Sequence, residues 1–267
     1  MIRPGSTIIL DVGGVLYFDE PFENAWLRLI YEEVASHGVA LSDFFPREPR
    51  PRSPHWVHAL LRRRLGHEGE HLAKYCWELV RSAWLSLVQP VPDAVSALAL
   101  IASHATVIIV ANQPPECLEA LHDLGVLDYV EYVALDSVAG YTKPDPRLLY
   151  HALAMANHAV AVEDIVVVGD RVDTDIVMAK IVGASAVLLD SVSPPLTPRR
   201  MDRFDVALAD WRARSSAVAT SVPDGVSRAG SLVEWTLASL GALRSARGEP
   251  HPTPTTDAWR ATDRPAT

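Results

Sequence analysis

An aspartate and two glycines follow the first apolar run of the chain. Residues 8–10 predict a short strand buried on both faces, and Asp11 stands where that strand would end. The carboxyl ends of parallel strands line the crevice in which open α/β sheets bind ligands. Gly13 and Gly14 allow a sharp turn that exposes N–H groups towards an anion. The stretch therefore predicts a carboxylate beside an anion site, although the same residues also make an ordinary turn.

Two further segments supply an amide and a lysine. Asn112 and Gln113 directly follow the predicted strand 105–110, so an amide can donate a hydrogen bond into the same crevice. Lys143, one of three lysines in the chain, precedes Pro144 in a loop before a predicted helix. A lysine restricted by proline suits a point-charge contact to phosphate. A turn asparagine and a solvated loop lysine are the plainer alternatives.

Three carboxylates gather after the apolar run 165–168. Asp170 stands at the end of that predicted strand, and Asp173 and Asp175 follow before a predicted helix. Carboxylates this close repel one another unless a cation lies among them, and hard oxygen ligands favour Mg²⁺ over zinc. Helix capping would explain Asp173 or Asp175, but not Asp170 as well. Which of Asp173 and Asp175 is the second acidic residue of the site stays open.

Helical and strand patterns alternate along most of the chain, with predicted strands at 8–10, 105–110, 129–135, 165–168 and 186–189. This alternation predicts an α/β fold with a parallel sheet covered by helices on both faces. Residues 18–89 carry helical patterns without a convincing strand, which predicts a helical insert in a core formed by 1–17 and 90–244. Residues 245–267, rich in proline, threonine and charge, predict a disordered tail.

The composition excludes several classes of protein. The 267 residues carry a net charge of -9, which argues against general nucleic-acid binding and against an anionic membrane surface. No run reaches the length of a membrane span and no secretory signal is recognised, so we expect a cytoplasmic protein. Two cysteines, Cys76 and Cys117, cannot form a disulfide framework or a thiolate zinc cluster.

Together the four segments resemble the haloacid dehalogenase (HAD) superfamily in order, spacing and strand context, over about residues 7–190. The resemblance implies a Rossmann-like, doubly wound parallel sheet, and the span 18–89 falls where the C1-type helical cap of this family is inserted. It assigns the family's motif residues, in chain order, to Asp11, Asn112, Lys143, Asp170 and Asp175.

The resemblance also implies an activity. It implies a Mg²⁺-dependent phosphatase that hydrolyses a small phosphomonoester, such as a sugar phosphate or nucleotide, through an aspartyl-phosphate on Asp11. The residues implied to bind Mg²⁺ are Asp11, the carbonyl of Gly13, Asp170 and Asp175. Those implied to contact the phosphate are Gly13, Gly14, Asn112, Gln113 and Lys143. Lys143 and Asn112 would also be catalytic. The oligomeric state, including a homodimer, stays open.

The sequence departs from the pattern of the family at Gly13. Phosphatases of the family usually carry a second aspartate there as general acid and base, and losing such a group costs about 10²–10⁴-fold in rate. Asp19 or Glu20, just beyond the turn, are candidates to replace it. Ala111 also replaces the hydroxyl residue that usually precedes the asparagine of the second motif.

Two other enzyme activities and one non-enzymatic role are alternatives to phosphatase activity. Halide-removing relatives place an aromatic residue at the Gly13 position and work without metal, which the acidic fourth motif argues against. Phosphonate-cleaving relatives use a lysine of the cap, and Lys74 is the only lysine between 18 and 89. A third alternative is a binding or scaffolding protein that has lost turnover because of Gly13.

Overall fold

A six-stranded parallel sheet forms the centre of the computed structural model, which describes residues 2, 3, 5–45, 56–190, 201–218 and 222–246. The strands are β1 (Thr7–Leu10), β2 (Tyr17–Phe18), β3 (Gln89–Pro90), β4 (Thr106–Ala111), β5 (Tyr132–Leu135), β6 (Ile165–Gly169), β7 (Ser185–Leu189) and β8 (Ser227–Ala229). The order in the large sheet is β5-β4-β1-β6-β7-β8, and β2 pairs with β3 separately as a short antiparallel ribbon. The central position of β1 explains why all four of its residues are buried.

Helices cover both faces of this sheet. The α-helices among the described residues are α1 (Glu20–Ser36), α2 (Leu41–Phe44), α3 (Trp56–Leu65), α4 (His67–Arg81), α5 (Trp84–Leu87), α6 (Ala94–Ala102), α7 (Cys117–Asp123), α8 (Asp136–Ala139), α9 (Pro146–Met155), α10 (Val177–Val182), α11 (Arg203–Val218) and α12 (Leu232–Ala246). Ile8 and Leu10 join the apolar cluster that includes residues of α6, α7 and α12, while Ile9 faces the cluster formed with α9 and α10. The predicted doubly wound α/β fold is confirmed.

The elements that the structure describes between β2 and β3 are all helices, α1 to α5. Helices α1 and α4 pack through aromatic side chains: the ring centroids of Phe22 and Trp77 are 5.1 Å apart, and those of Trp26 and Trp77 are 5.4 Å apart. The pairing of Phe18 with Gln89 brings the two ends of the insert together. The division into a cap of 18–89 and a core of 1–17 and 90–244, and the C1 subtype of the cap, stay predictions.

Helix α11 contacts the insert as well as following the core in sequence. The ring of Phe204 lies 5.3 Å from that of Phe45 and 5.6 Å from that of Tyr31, and Arg28 pairs with Asp202 at 2.6 Å. The predicted division into core and insert assigned this helix to the core. An apolar helix face in the sequence does not identify the element against which the helix packs.

The carboxyl-terminal part of the chain is only partly described. Helix α12 includes the first two residues of the predicted tail, Ser245 and Ala246, and residues 247–267 of that tail lie outside the described residues. Among the described residues, no helix combines the length and the apolar character needed to cross a membrane.

The position of Ile9 provides a test of the sheet. The side chain of Ile9, on β1, is fully buried against the helices α9 and α10, so truncation to alanine leaves a cavity. We expect Ile9→Ala to lower the free energy of unfolding by about 2–5 kcal/mol in urea titrations. Met155→Ala, on the exposed side of α9, should change it by less than about 0.5 kcal/mol. Equal effects of the two substitutions would contradict the placement of β1 at the centre.

Candidate active site

The segments that carry Asp11, Asn112 and Asp170 meet because the strands before them are neighbours in the sheet. Strand β1 lies between β4 and β6, with Leu10 beside Ile109 on one side and Val168 on the other. The N–H of Asp11 donates to the carbonyl of Val168 at 2.9 Å, which fixes the first residue beyond the strand. Asp11, Asn112 and Asp170 therefore all emerge at one edge of the sheet, as parallel strands require.

Lys143 lies between two carboxylates in the interior of the site. Its Nζ is 2.7 Å from Oδ1 of Asp11 and 2.6 Å from Oδ1 of Asp175, and only 1% of the side chain is exposed. Burial opposes the charged form of Lys143, but the carboxylates of Asp11 and Asp175 outweigh it and raise the pKa of the lysine. The ammonium group therefore stays charged and neutralises part of the negative charge of the site.

Asn112 holds the loop that carries this lysine. The N–H of Lys143 donates to Oδ1 of Asn112 at 2.8 Å, and Nδ2 of Asn112 donates to the carbonyl of Lys143 at 3.2 Å. The sequence predicted that this amide contacts phosphate. That contact stays a prediction. The structure shows the amide binding the backbone of Lys143 in both directions, which positions the ammonium group.

Asp11, Asp170 and Asp175 form the cluster that the sequence predicted. One carboxylate oxygen from each lies within 4.8 Å of those of the other two, which is close enough to share one cation. The oxygens of Asp175 also accept from Lys143 Nζ at 2.6 Å and from the N–H of Arg171 at 3.1 Å. Asp173, the alternative fourth-motif residue, pairs with the guanidinium of Arg171 at 2.8 Å.

The electrostatics of the cluster favour a cation. Loss of solvation raises the pKa of Asp170, and the negative charges of Asp11, Asp175 and Asp19 raise it further. Burial and the charge of Asp11 likewise raise the pKa of Asp175, although Lys143 opposes this effect. Several carboxylates thus surround one buried ammonium group. A divalent cation would relieve their repulsion.

Gly14 is required for close approach of the first turn to Asp170. Its φ of 68° lies in the left-handed region, and a Cβ at this position would be 2.3 Å from Oδ2 of Asp170. Its N–H donates to the carbonyl of Tyr17 at 2.9 Å. The phosphate contact predicted for Gly14 stays a prediction, and its N–H has a backbone partner in this turn.

The space beside Gly13 contains the carboxylate of Asp19. A Cβ on Gly13 would lie 2.9 Å from Oδ2 of Asp19 and 3.2 Å from Nε2 of Gln113. Nε2 of Gln113 donates to that same Asp19 oxygen at 3.0 Å. The predicted contact of Gln113 with phosphate stays a prediction, and its amide nitrogen donates to Asp19 in this structure. Burial raises the pKa of Asp19, the hydrogen bond from Gln113 lowers it, and the charges of Glu20 and Glu23 raise it.

The sequence indicated Asp19 and Gln113 separately, but not the contact between them. The acidic pair Asp19 and Glu20 just beyond the turn was visible, but Gln113 is 94 positions away in sequence from Asp19. Arg171 also went unnoticed, although it stands beside Asp170 and the pairing with Asp173 fixes its guanidinium.

A parallel sheet with a buried lysine between carboxylates at its carboxyl edge defines an α/β enzyme site. A family model for haloacid dehalogenase-like hydrolases matches residues 6–183, which is more than half of the chain. The chain belongs to this family and is a hydrolase. No curated protein matches the sequence.

Solved structures show the same fold. A HAD phosphatase from Thermococcus onnurineus has 18% identity and a TM-score of 0.56, covering 92% of this chain and 100% of its own. YfnB of Bacillus subtilis, solved bound to magnesium, has 13% identity and a TM-score of 0.57, covering 88% and 99%. A 2-haloacid dehalogenase from Pseudomonas syringae pv. Tomato has 22% identity and a TM-score of 0.50, covering 90% and 100%.

Removal of the ammonium group provides a test of the buried ion pairs. Lys143→Met keeps most of the side-chain volume but leaves Asp11 and Asp175 without their cation. We expect a loss of about 3–5 kcal/mol of unfolding free energy, measured by thermal and urea denaturation without divalent cations. Lys180→Met is the matched control, because Lys180 is exposed and its ammonium group donates to the backbone carbonyl of Asp224. A Lys143 variant as stable as this control would contradict the geometry.

Proposed function

We propose that this protein is a Mg²⁺-dependent phosphatase that hydrolyses small phosphomonoesters through an aspartyl-phosphate on Asp11. The observation that supports it most is Asp11 at the end of the central strand, 2.7 Å from the ammonium group of Lys143. That contact holds the carboxylate in one orientation, as a nucleophile requires. A carboxylate used only for structure would not need a fixed oxygen at the ligand-binding edge of the sheet.

The donor set fits magnesium. Asp11 and Asp170 supply hard carboxylate oxygens, and the carbonyl of Gly13 lies in the same turn as Asp11. We assign Asp175 mainly to holding Lys143 and the N–H of Arg171, because its oxygens contact both groups. When bound, the cation would neutralise charge on the phosphoryl oxygens during displacement.

The residues of the chain then have separate roles. One Asp11 oxygen attacks phosphorus, and the leaving oxygen takes the electron pair of the broken bond. Lys143 shares the charge of the phosphoryl group and restrains Asp11, while Asn112 holds the loop of Lys143 in place. Hydrolysis of the aspartyl-phosphate by water returns Asp11 to its carboxylate form.

Substrate class and cellular setting are parts of the same proposal. A sugar phosphate or a nucleotide fits an enzyme in which helices α1 to α5 are inserted next to the catalytic turn. The net charge of -9 favours a small molecule whose phosphate is met by a local cation, rather than a nucleic acid or a membrane. A cytoplasmic location is part of the same proposal.

The competing activities have less support from the geometry. A phosphonate-cleaving enzyme of the kind considered would use Lys74, and this lysine is exposed on α4. A halide-removing enzyme would not need the carboxylate cluster of Asp11, Asp170 and Asp175. The scaffold alternative depends on Gly13, and the carboxylate beside that glycine weakens it.

Replacement of the nucleophile is the direct test. We expect the wild-type protein with Mg²⁺ to release inorganic phosphate from an aryl phosphate and from some members of a panel of sugar phosphates and nucleotides. Asp11→Asn should reduce this release to background, because an amide cannot form the acyl phosphate. Asp128→Asn, an exposed residue between α7 and β5, is the control and should keep full activity. Release that persists in Asp11→Asn would refute the nucleophile, and a wild type inactive on the whole panel would favour a scaffold.

Magnesium binding is tested independently of turnover. We expect calorimetry to detect Mg²⁺ binding to the wild-type protein and at least a tenfold weaker affinity for Asp170→Asn, which removes an anionic ligand. Asp173→Asn, which removes the partner of Arg171, should stay within about threefold of the wild type. The reverse ranking would move the metal site to Asp173.

A further inference from the structure

We propose that Asp19, held by Gln113, transfers the proton in both half-reactions and thereby replaces the side chain that is missing at Gly13. This inference rests on the proposed phosphatase function. It assigns a catalytic residue that comes from the start of α1 rather than from the turn after β1.

The space that a residue at position 13 would occupy is already filled. The φ of Gly13 is not positive, so the backbone conformation there would accept a side chain. The atom nearest to that Cβ position is Oδ2 of Asp19, at 2.9 Å, so a side chain at position 13 would require the Asp19 carboxylate to move. A carboxylate is therefore delivered to the side of Gly13 by a different residue.

The orientation of Asp19 is not explained by its own helix. Asp19 is the N-cap residue of α1, where an aspartate ordinarily accepts from the first N–H groups of the helix and contributes about 1 kcal/mol. Here its side chain makes no capping hydrogen bond. The carboxylate instead accepts from Gln113 at 3.0 Å, and Gln113 directly follows Asn112 at the catalytic edge of the sheet.

The geometry places this carboxylate within the site. Its Oδ2 lies 2.9 Å from the Cβ position of Gly13, whose carbonyl is a proposed metal ligand. Asp11 and Asp175 have their Oδ1 atoms on Lys143, and Asp173 is paired with Arg171. The hydrogen-bond partner of Asp19, in contrast, is the neutral amide of Gln113, which leaves this carboxylate suited to exchange a proton with the substrate.

The proposed steps balance. In the first, Asp11 attacks phosphorus, the bond from phosphorus to the leaving oxygen breaks, and the carboxyl proton of Asp19 goes to that oxygen, so an alcohol leaves. In the second, water attacks the aspartyl-phosphate and gives its proton to the Asp19 carboxylate. The bond between phosphorus and Asp11 then breaks with its electron pair returning to Asp11, and phosphate is released.

Asp19→Asn separates proton transfer from positioning. The amide oxygen of asparagine can still accept from Gln113, so we expect an unchanged melting temperature. Turnover of an alkyl phosphate should fall about 10²–10⁴-fold, because the alkoxide then leaves without a proton. With p-nitrophenyl phosphate, whose phenolate leaves unassisted, we expect a rapid burst of about one equivalent of nitrophenol and then slow turnover, because attack by water is impaired.

Two outcomes would overturn the role of Asp19 while the wild type is active. One is alkyl phosphate turnover within threefold of wild type in Asp19→Asn. The other is an equal loss on both esters without a burst, which a structural role predicts. A wild type that releases phosphate from neither ester would instead overturn the proposed function, and this role with it. Asp128→Asn, exposed and outside the site, serves as the control with normal turnover of both esters.

A double variant tests whether an aspartate at position 13 can take over the role of Asp19. Gly13→Asp alone should lower activity, because its Cβ would collide with the Asp19 carboxylate. In Gly13→Asp/Asp19→Gly the space is open, and we expect at least tenfold more alkyl phosphate turnover than in Asp19→Gly. A double variant no better than Asp19→Gly would count against the inference.

Discussion

The buried ammonium group of Lys143 is the interaction on which the rest of the site depends. Burying an ammonium group without partners costs several kcal/mol, so its position requires both carboxylates at once. Asp11 and Asp175 provide them, with carboxylate oxygens 2.7 and 2.6 Å from Nζ of Lys143, although the two residues are far apart in sequence. Any displacement of either segment leaves a charge unpaired in the interior. The ion pairs therefore couple the geometry of the nucleophile to the packing of the sheet.

The sheet meets this requirement through strand order and small residues. Because β1 lies between β4 and β6, the residues after all three strands reach one edge without long loops. Asn112 then binds both backbone polar groups of Lys143, which converts a loop into a rigid support. Gly14 lets the first turn come against Asp170, where a Cβ would be 2.3 Å from a carboxylate oxygen. The site is thus fixed by backbone geometry as much as by its side chains.

Much of this arrangement could be predicted from the sequence, and the remainder depends on contacts that leave no periodic pattern. Apolar runs ending in polar residues located Asp11, Asn112 and Asp170, because strand ends of a parallel sheet converge. Gln113 and Asp19 are 94 positions apart in the sequence and lie in two different loops, so neither residue type nor spacing predicts their contact. Likewise, an amphipathic pattern shows that α11 has an apolar face, but not that Phe204 packs against Phe45 and Tyr31.

The origin of the Asp19 carboxylate has a consequence for how chemistry would be linked to the insert. A side chain on Gly13 would belong to the turn after β1 and would stay with the core. Asp19 instead precedes Glu20, the first residue of α1, and α1 packs within the insert through Phe22 and Trp26. A shift of this helix would move the carboxylate relative to Asp11, which stays fixed by Lys143. Proton transfer and nucleophilic attack would then be aligned only when the insert is seated on the core, so that a glycine in the catalytic turn makes turnover depend on the position of the insert.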